Sequence, residues 1–169
     1  MMRKMWNLTN KKAQLLDRPF IFIFVLVVAA FTFIFGFYLI NNLIKTSNCT
    51  QLGIFFNDLK IGIERYYNFD IGSSTEISLK LPKKIEYVCF SNIGNELDKN
   101  SLDNIQNGLY DVLMNSNYNL VFVPINYCTR AFFKIDKLRV NENPLCILNT
   151  GNIKLKLKNI GDSVEITKT

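Results

Sequence analysis

The sequence predicts an α+β fold in which an N-terminal transmembrane helix is extended into a domain of antiparallel sheet covered by helices. Three observations predict it. Residues Phe20 to Ile40 form an apolar run without a single charge, a helical spacing of apolar residues follows over Thr46 to Tyr67, and apolar and polar residues alternate from Ile77 onward. The first pattern is that of a membrane span, the second of a helix with one buried side, and the third of strands with one wet face. The chain is thereby divided into a basic cytoplasmic segment (1–19), a transmembrane helix (20–40) and an extracytoplasmic α+β domain (46–169).

The run FIFIFVLVVAAFTFIFGFYLI, at a helical rise of 1.5 Å per residue, covers about 30 Å of hydrocarbon. A domain of the remaining length can hardly wrap a helix that is apolar all round. A cleavable secretory signal carries an apolar run of about 7–15 residues before a small-x-small site. Here the helix runs on into Asn41, Asn42, Leu43, Ile44 and Lys45, which predicts a retained anchor. Thr32 and Gly36 form one small-xxx-small pair, a spacing that lets membrane helices approach each other closely.

The formal charge of +6 is unevenly placed. Arg3, Lys4, Lys11, Lys12, Arg18 and Lys45 stand against Asp17 alone, whereas the chain beyond Lys45 has fourteen basic and thirteen acidic residues. Lys and Arg collect on the cytoplasmic flank of a spanning helix. The N-terminus is therefore expected in the cytoplasm and the domain outside the cell membrane. The same distribution removes the support for nucleic-acid binding, which requires a basic patch on the domain itself. The partners expected are the lipid bilayer and other envelope proteins or copies of the chain.

In the domain, Leu52, Phe55, Phe56, Leu59, Ile63 and Tyr66 form a helical stripe. No proline separates it from the span, so one long helix is predicted, with Asn41, Asn42 and Thr46–Asn48 as the places for a break. Ile77, Leu79 and Leu81 alternate with Glu76, Ser78 and Lys80 as a strand, Pro82–Lys84 reads as a turn, and Ile85–Phe90 as the partner strand. Ser101 is the expected N-cap of a second helix carrying Leu102, Ile105, Leu109, Val112 and Leu113. Further strands are expected at Leu120–Ile125, Ala131–Val140, Leu145–Leu148, Ile153–Lys158 and Val164–Thr167.

All four cysteines, Cys49, Cys89, Cys128 and Cys146, lie beyond the apolar run. An even count on the outer side predicts two disulfides in an oxidising compartment, the alternative being four buried thiols. Four cysteines allow three pairings. Strand alternation places Cys89 with Ile85 and Tyr87 on an inner face. The expected pairing is Cys49–Cys89, tying the first helix to the sheet, with Cys128–Cys146 closing a shorter loop.

The chain has no histidine, which excludes Ser-His-Asp and Cys-His nucleophile systems and imidazole metal sites. None of the eight glycines falls in a phosphate-loop spacing. Glu96 with Asp98, and Asp103 with Asp111, are the nominal acid–base pairs of a membrane-tethered hydrolase, but their placement around an exposed helix fits solvation better. No catalytic residue, cofactor or metal site is assigned. Ile153–Lys158 alternates apolar residues with lysine. It reads either as a surface for lipid headgroups or an anionic cell-surface polymer, or as a strand with one wet face whose lysines also discourage edge-to-edge aggregation. Asn48-Cys49-Thr50 matches the glycosylation acceptor pattern, with Asn48 close to the membrane.

Lys11-Lys12-Ala13-Gln14, at the end of a short basic leader, resembles the processing site of archaeal type IV pilin-like precursors. The resemblance implies cleavage between Ala13 and Gln14 by a membrane peptidase, with the apolar helix kept in the mature chain. A long N-terminal helix leading into a sheet-rich head is also similar to pilins. Arg18 stands where pilins commonly carry Glu. Glu86–Phe90, and Leu145–Ile147 followed by Gly151-x-Ile153-x-Leu155-x-Leu157, resemble uncharacterised single-pass membrane proteins of small-genome archaea. The function expected is that of a non-catalytic, membrane-anchored envelope protein with an outer binding or assembly domain; a pilin-like filament or pseudopilin subunit is the alternative.

Overall fold

The computed structural model describes the backbone from residue 14 and the side chains from residue 19 to residue 169. The elements in chain order are α1 (Gln14–Tyr67), β1 (Ser74–Lys80), β2 (Tyr87–Phe90), α2 (Lys99–Ile105), α3 (Leu109–Asn115), β3 (Leu120–Val123), β4 (Phe132–Phe133), β5 (Leu138–Val140), β6 (Leu145–Leu148), β7 (Asn152–Asn159) and β8 (Val164–Lys168). The described residues fall into two units, one ending at Ile44 and the other Lys45–Thr169. One long apolar helix precedes an α+β domain, as the sequence predicts.

In the first unit the α1 side chains from Phe20 to Ile40 are almost all exposed, Phe20 by 73% and Phe37 by 68%. This stretch is long and apolar enough to cross a membrane. The Thr32 hydroxyl in this stretch donates to the Val28 carbonyl at 2.8 Å. That bond keeps the polar group satisfied inside an apolar stretch. Helix α1 is the one long helix that the sequence predicts and passes without interruption through Asn41–Asn42 and Thr46–Asn48, the places named for a break. Beyond Lys45 three ties hold that turn helical: Thr50 donates to the Thr46 carbonyl, Asn48 donates to the Tyr127 hydroxyl, and Cys49 is bonded to Cys128.

In the second unit, the predicted stripe on α1 is the buried one. Leu52, Phe55, Leu59 and Ile63 are at most 1% exposed, with Phe56 and Tyr66 packed beside them. Burying such a side chain contributes about 1.5–3 kcal/mol. Phe55 meets Phe122 edge-on at 5.3 Å and Phe56 stacks on Phe133 at 4.5 Å. Gly62 lets the helix approach β7, where a Cβ would stand 3.3 Å from Leu157 Cδ1.

The expected sheet is two sheets, ordered β1-β7-β8-β5 and β4-β3-β2-β6. All pairs are antiparallel except β5 with β8. Their inner faces and α1 share one core, which holds Leu79, Val88, Phe90, Phe122, Leu155, Leu157 and Ile166. β2 does not pair with β1, as the sequence reading had it. A strand with one wet face needs a neighbour of the same kind, and β1 finds it in β7 over seven consecutive pairs. β2 is covered on both faces, by the main core at Val88 and Phe90 and by the short helices at Cys89, and so lies inside the other sheet.

The second helix is also two. Gln106 is extended and Gly108 takes the left-handed conformation (φ 81°), which separates α2 from α3. Together Leu102, Leu109 and Leu113 cover the Cys89, Val121 and Val123 side of the second sheet. The N-cap of α2 is Asp98 rather than Ser101. The segment Ala131–Val140 divides into β4 and β5, which belong to different sheets. Between them the backbone of Ile135 is paired to the Asn119 side chain through both its N–H and its carbonyl, and Lys137 has a left-handed φ of 64°.

All four cysteines are bonded, but Cys49 pairs with Cys128 and Cys89 with Cys146. The expected pairs were Cys49–Cys89 and Cys128–Cys146. The correction follows from strand order: Cys89 and Cys146 are direct partners across β2 and β6. The Cys89 side chain points to α2 and α3, away from the core face that α1 covers. Cys49 still ties the first helix to the domain, through the loop that precedes β4.

Candidate functional site

The lysine-alternating segment becomes β7, whose burial alternates without a fault from Asn152 to Asn159. Ile153, Leu155 and Leu157 enter the core while Lys154, Lys156 and Lys158 stand in solvent. The segment is thus the strand with one wet face that the sequence predicts, but β7 lies between β1 and β8, so its lysines guard no edge. Along one strand, alternate residues repeat at about 6.6–6.8 Å. The three ammonium groups therefore form a straight row.

Register determines what surrounds the row. Across β1 and β8, Lys156 faces Glu76 and Thr167, Lys158 faces Ser74 and Glu165, and Lys154 faces Ser78. Lys80, opposite Asn152, continues the basic surface on β1. Ser78 donates to the Asn152 side-chain carbonyl at 2.9 Å. Ion pairs among the described residues are Lys60–Glu64, Lys134–Asp136 and Arg139–Asp162, none of which uses a lysine of this face. Four lysines against Glu76 and Glu165 leave the face positive within a domain that is nearly neutral.

The face continues to β5, where Arg139 is in register with Glu165. Arg139 also lines two adjoining hollows at that edge, of about 290 and 550 Å³, which share Asn92 and Asn95. Asparagines build this groove. The Asn92 side chain donates to the Val140 carbonyl and accepts from the Val140 N–H, while the Asn92 N–H donates to the Asn143 side chain. Asn143 in turn donates to the Glu96 carbonyl. The groove is thus a rigid seam joining the loop after β2 to β5, with polar groups on both walls.

The nominal acid–base carboxylates are placed differently. Asp98 accepts from the Asn100 N–H at 3.0 Å and from the Ser101 hydroxyl. The Ser101 hydroxyl, then the Ser101 and Asn100 N–H groups, hold its carboxyl below the usual range. It serves as the cap of α2. Glu96 lies on the rim of the larger hollow, whereas Asp103 and Asp111 fall on separate helices. Among the described residues no cluster of three or more Cys, Asp or Glu has metal-binding geometry.

Asn48 lies inside α1, half-buried, with its amide donated to the Tyr127 hydroxyl at 2.7 Å. Glycosylation there requires that bond to be broken. Of the processing pair, Ala13 lies outside the described residues and Gln14 begins α1. Sequence reasoning found the lysine row but missed Lys80, Glu165, Arg139, Asn92 and Asn95, which come from four separate segments. Their one local signal is the placement of Lys80 and Arg139 on the polar phase of alternating strands. The chain matches no protein-family model, no characterised protein and no solved structure.

Proposed function

We propose that the chain is a non-catalytic, single-pass membrane protein of the cell envelope whose domain, held outside the cytoplasm, binds or assembles with other surface components. The observation that carries this reading is that all four cysteines, each beyond the apolar span, are bonded in two disulfides. Such bonds persist in oxidising compartments. The excess of Lys and Arg before Phe20 supports the same orientation. Protease added to spheroplasts is expected to digest the chain beyond Lys45 and to spare an N-terminal tag. Protection of the domain with digestion of the tag would reverse the orientation.

A second reading, a pilin-like filament or pseudopilin subunit, is favoured by one observation: α1 is unbroken from Gln14 to Tyr67 and leads straight into a sheet-rich domain. It requires removal of Met1–Ala13. Intact-mass measurement of the protein from its own cells separates the two, since a chain that keeps those residues has not followed the pilin route.

A further inference from the structure

We infer that the wet face of β1-β7-β8-β5 and the asparagine groove at its β5 edge form one continuous site for a linear acidic polysaccharide bearing carboxylates. The inference rests on the proposed outer location of the domain only for where such a polymer would be met. Two independent features of the surface carry it.

The first is charge arrayed in a line. Lys154, Lys156 and Lys158 project from one straight strand over about 13 Å, at two residues per repeat. They sit on an interior strand, so edge protection does not account for them. None of the three is in an ion pair among the described residues; their cross-strand neighbours are Ser74, Ser78 and Thr167 together with the carboxylates Glu76 and Glu165. With Lys80 the face carries four lysines against those two carboxylates, and this surplus of cations set among hydroxyls matches a chain that alternates carboxylates with hydroxyls. The face has no aromatic residue on which bases would stack and no exposed apolar side chain to enter a bilayer. Single-stranded nucleic acid and a lipid surface therefore fit it less well.

The second is continuity with a concave, polar, rigid groove. Lys158, Glu165 and Arg139 lie in one row across β7, β8 and β5, a span of about 9.6 Å at 4.8 Å per strand. Glu165 and Arg139 also line the larger hollow. A chain held by its carboxylates on the lysine row can run along this row into the groove. There Asn95, Asn141 and Arg139 present amide and guanidinium groups to sugar hydroxyls. Because hydrogen bonds of Asn92 and Asn143 lock the groove, little ordering is needed when a ligand enters.

The test uses the full chain in micelles of a neutral detergent and titrates polygalacturonate by calorimetry. Methyl-esterified polygalacturonate and vesicles of phosphatidylglycerol serve as the comparison probes. The wild-type chain is expected to bind the free acid and to bind the ester at least about tenfold more weakly. Raising ionic strength from about 0.01 to about 0.1 M shortens screening from about 30 to about 10 Å and is expected to weaken binding. K154Q/K156Q/K158Q removes three exposed charges and should weaken binding about tenfold or more at unchanged melting temperature. R139Q should weaken it by a smaller factor. The control K60Q/K84Q/K99Q removes the same charge elsewhere and should stay within about twofold.

No binding by the wild-type chain, equal losses in the two triple variants, or stronger binding to the vesicles than to the free acid would overturn the site. Full affinity in R139Q would remove the groove from it. These outcomes are independent of orientation: a domain that protease shows to be cytoplasmic but that binds polygalacturonate keeps the site and loses the envelope reading.

Discussion

Asparagine side chains make the connections in this domain that secondary structure leaves open. Asn159, 2% exposed at the end of β7, donates to the carbonyls of Tyr66, Tyr67 and Phe69 and accepts from the Gly161 N–H. The last carbonyls of a helix have no partner within it, so a strand residue closes the C-terminus of α1. Asn159→Ala is expected to cost about 1–3 kcal/mol in urea unfolding, because the part-buried Tyr67 and Phe69 carbonyls lose this donor while the Tyr66 carbonyl keeps the Phe69 N–H. Asn159→Asp should cost more at neutral pH, since a carboxylate would face those oxygens, and should recover in part on acidification. Equal losses in the two variants would contradict this account. Asp98, fully exposed, acts through its cap alone. Its carboxyl pKa is lower folded than unfolded, so its contribution is present above the unfolded value of 3.8 and disappears as pH falls through the folded value. Asp98→Asn keeps the cap and should abolish that acid-limb dependence in a melting series over pH.

At the level of elements, α1 is the piece on which the domain is organised, since both sheets pack on the same stripe. Leu59→Ala and Ile63→Ala, at fully buried positions, should each cost about 2–5 kcal/mol. Ile54→Ala and Ile61→Ala on the exposed side of the same helix should stay within about 0.5 kcal/mol. Denaturant titration of the full chain in micelles checks the contrast, and a loss at Ile54 equal to that at Leu59 would mean that the stripe is misassigned. Gly62→Leu should be destabilising by about 1–3 kcal/mol through overpacking against Leu157, in spite of its better helix propensity.

For the whole domain, two disulfides join pieces that sequence keeps far apart. Cys49–Cys128 spans 79 residues and Cys89–Cys146 spans 57. Loop-closure entropy alone makes each worth about 4 kcal/mol at such lengths, and measured values are about 2–4. The spans overlap, so their contributions are not additive. Reduction of the full chain is expected to lower its melting temperature markedly. Alkylation of native, unreduced protein should label no cysteine, and four labelled thiols would contradict both bonds. Cys49→Ala/Cys128→Ala should loosen the first turns of the domain's helix, seen as faster amide exchange there. Cys89→Ala/Cys146→Ala should leave that region protected, because its bond joins two strands already paired.

Periodicity was the legible part of this sequence. It located α1 and its buried stripe, the wet face of Ile153–Lys158 and the boundaries of Leu145–Leu148, since each depends on residues within a turn or a strand of one another. Pairing was not legible. Ile85–Phe90 and Ala131–Val140 read as strands, but nothing local says that the first lies inside a different sheet from its predecessor or that the second divides between two. Those choices are made where Val88 and Cys89 are covered from opposite sides and where Asn119 pairs the backbone of Ile135. The disulfide pairs changed for the same reason, because strand order placed Cys146 opposite Cys89. The lysine row can be read from one segment alone. The surface it shares with Lys80, Glu165 and Arg139 exists only once four distant segments are in register, because hydrophobic alternation determines which side of a strand is wet but not which strand lies beside it.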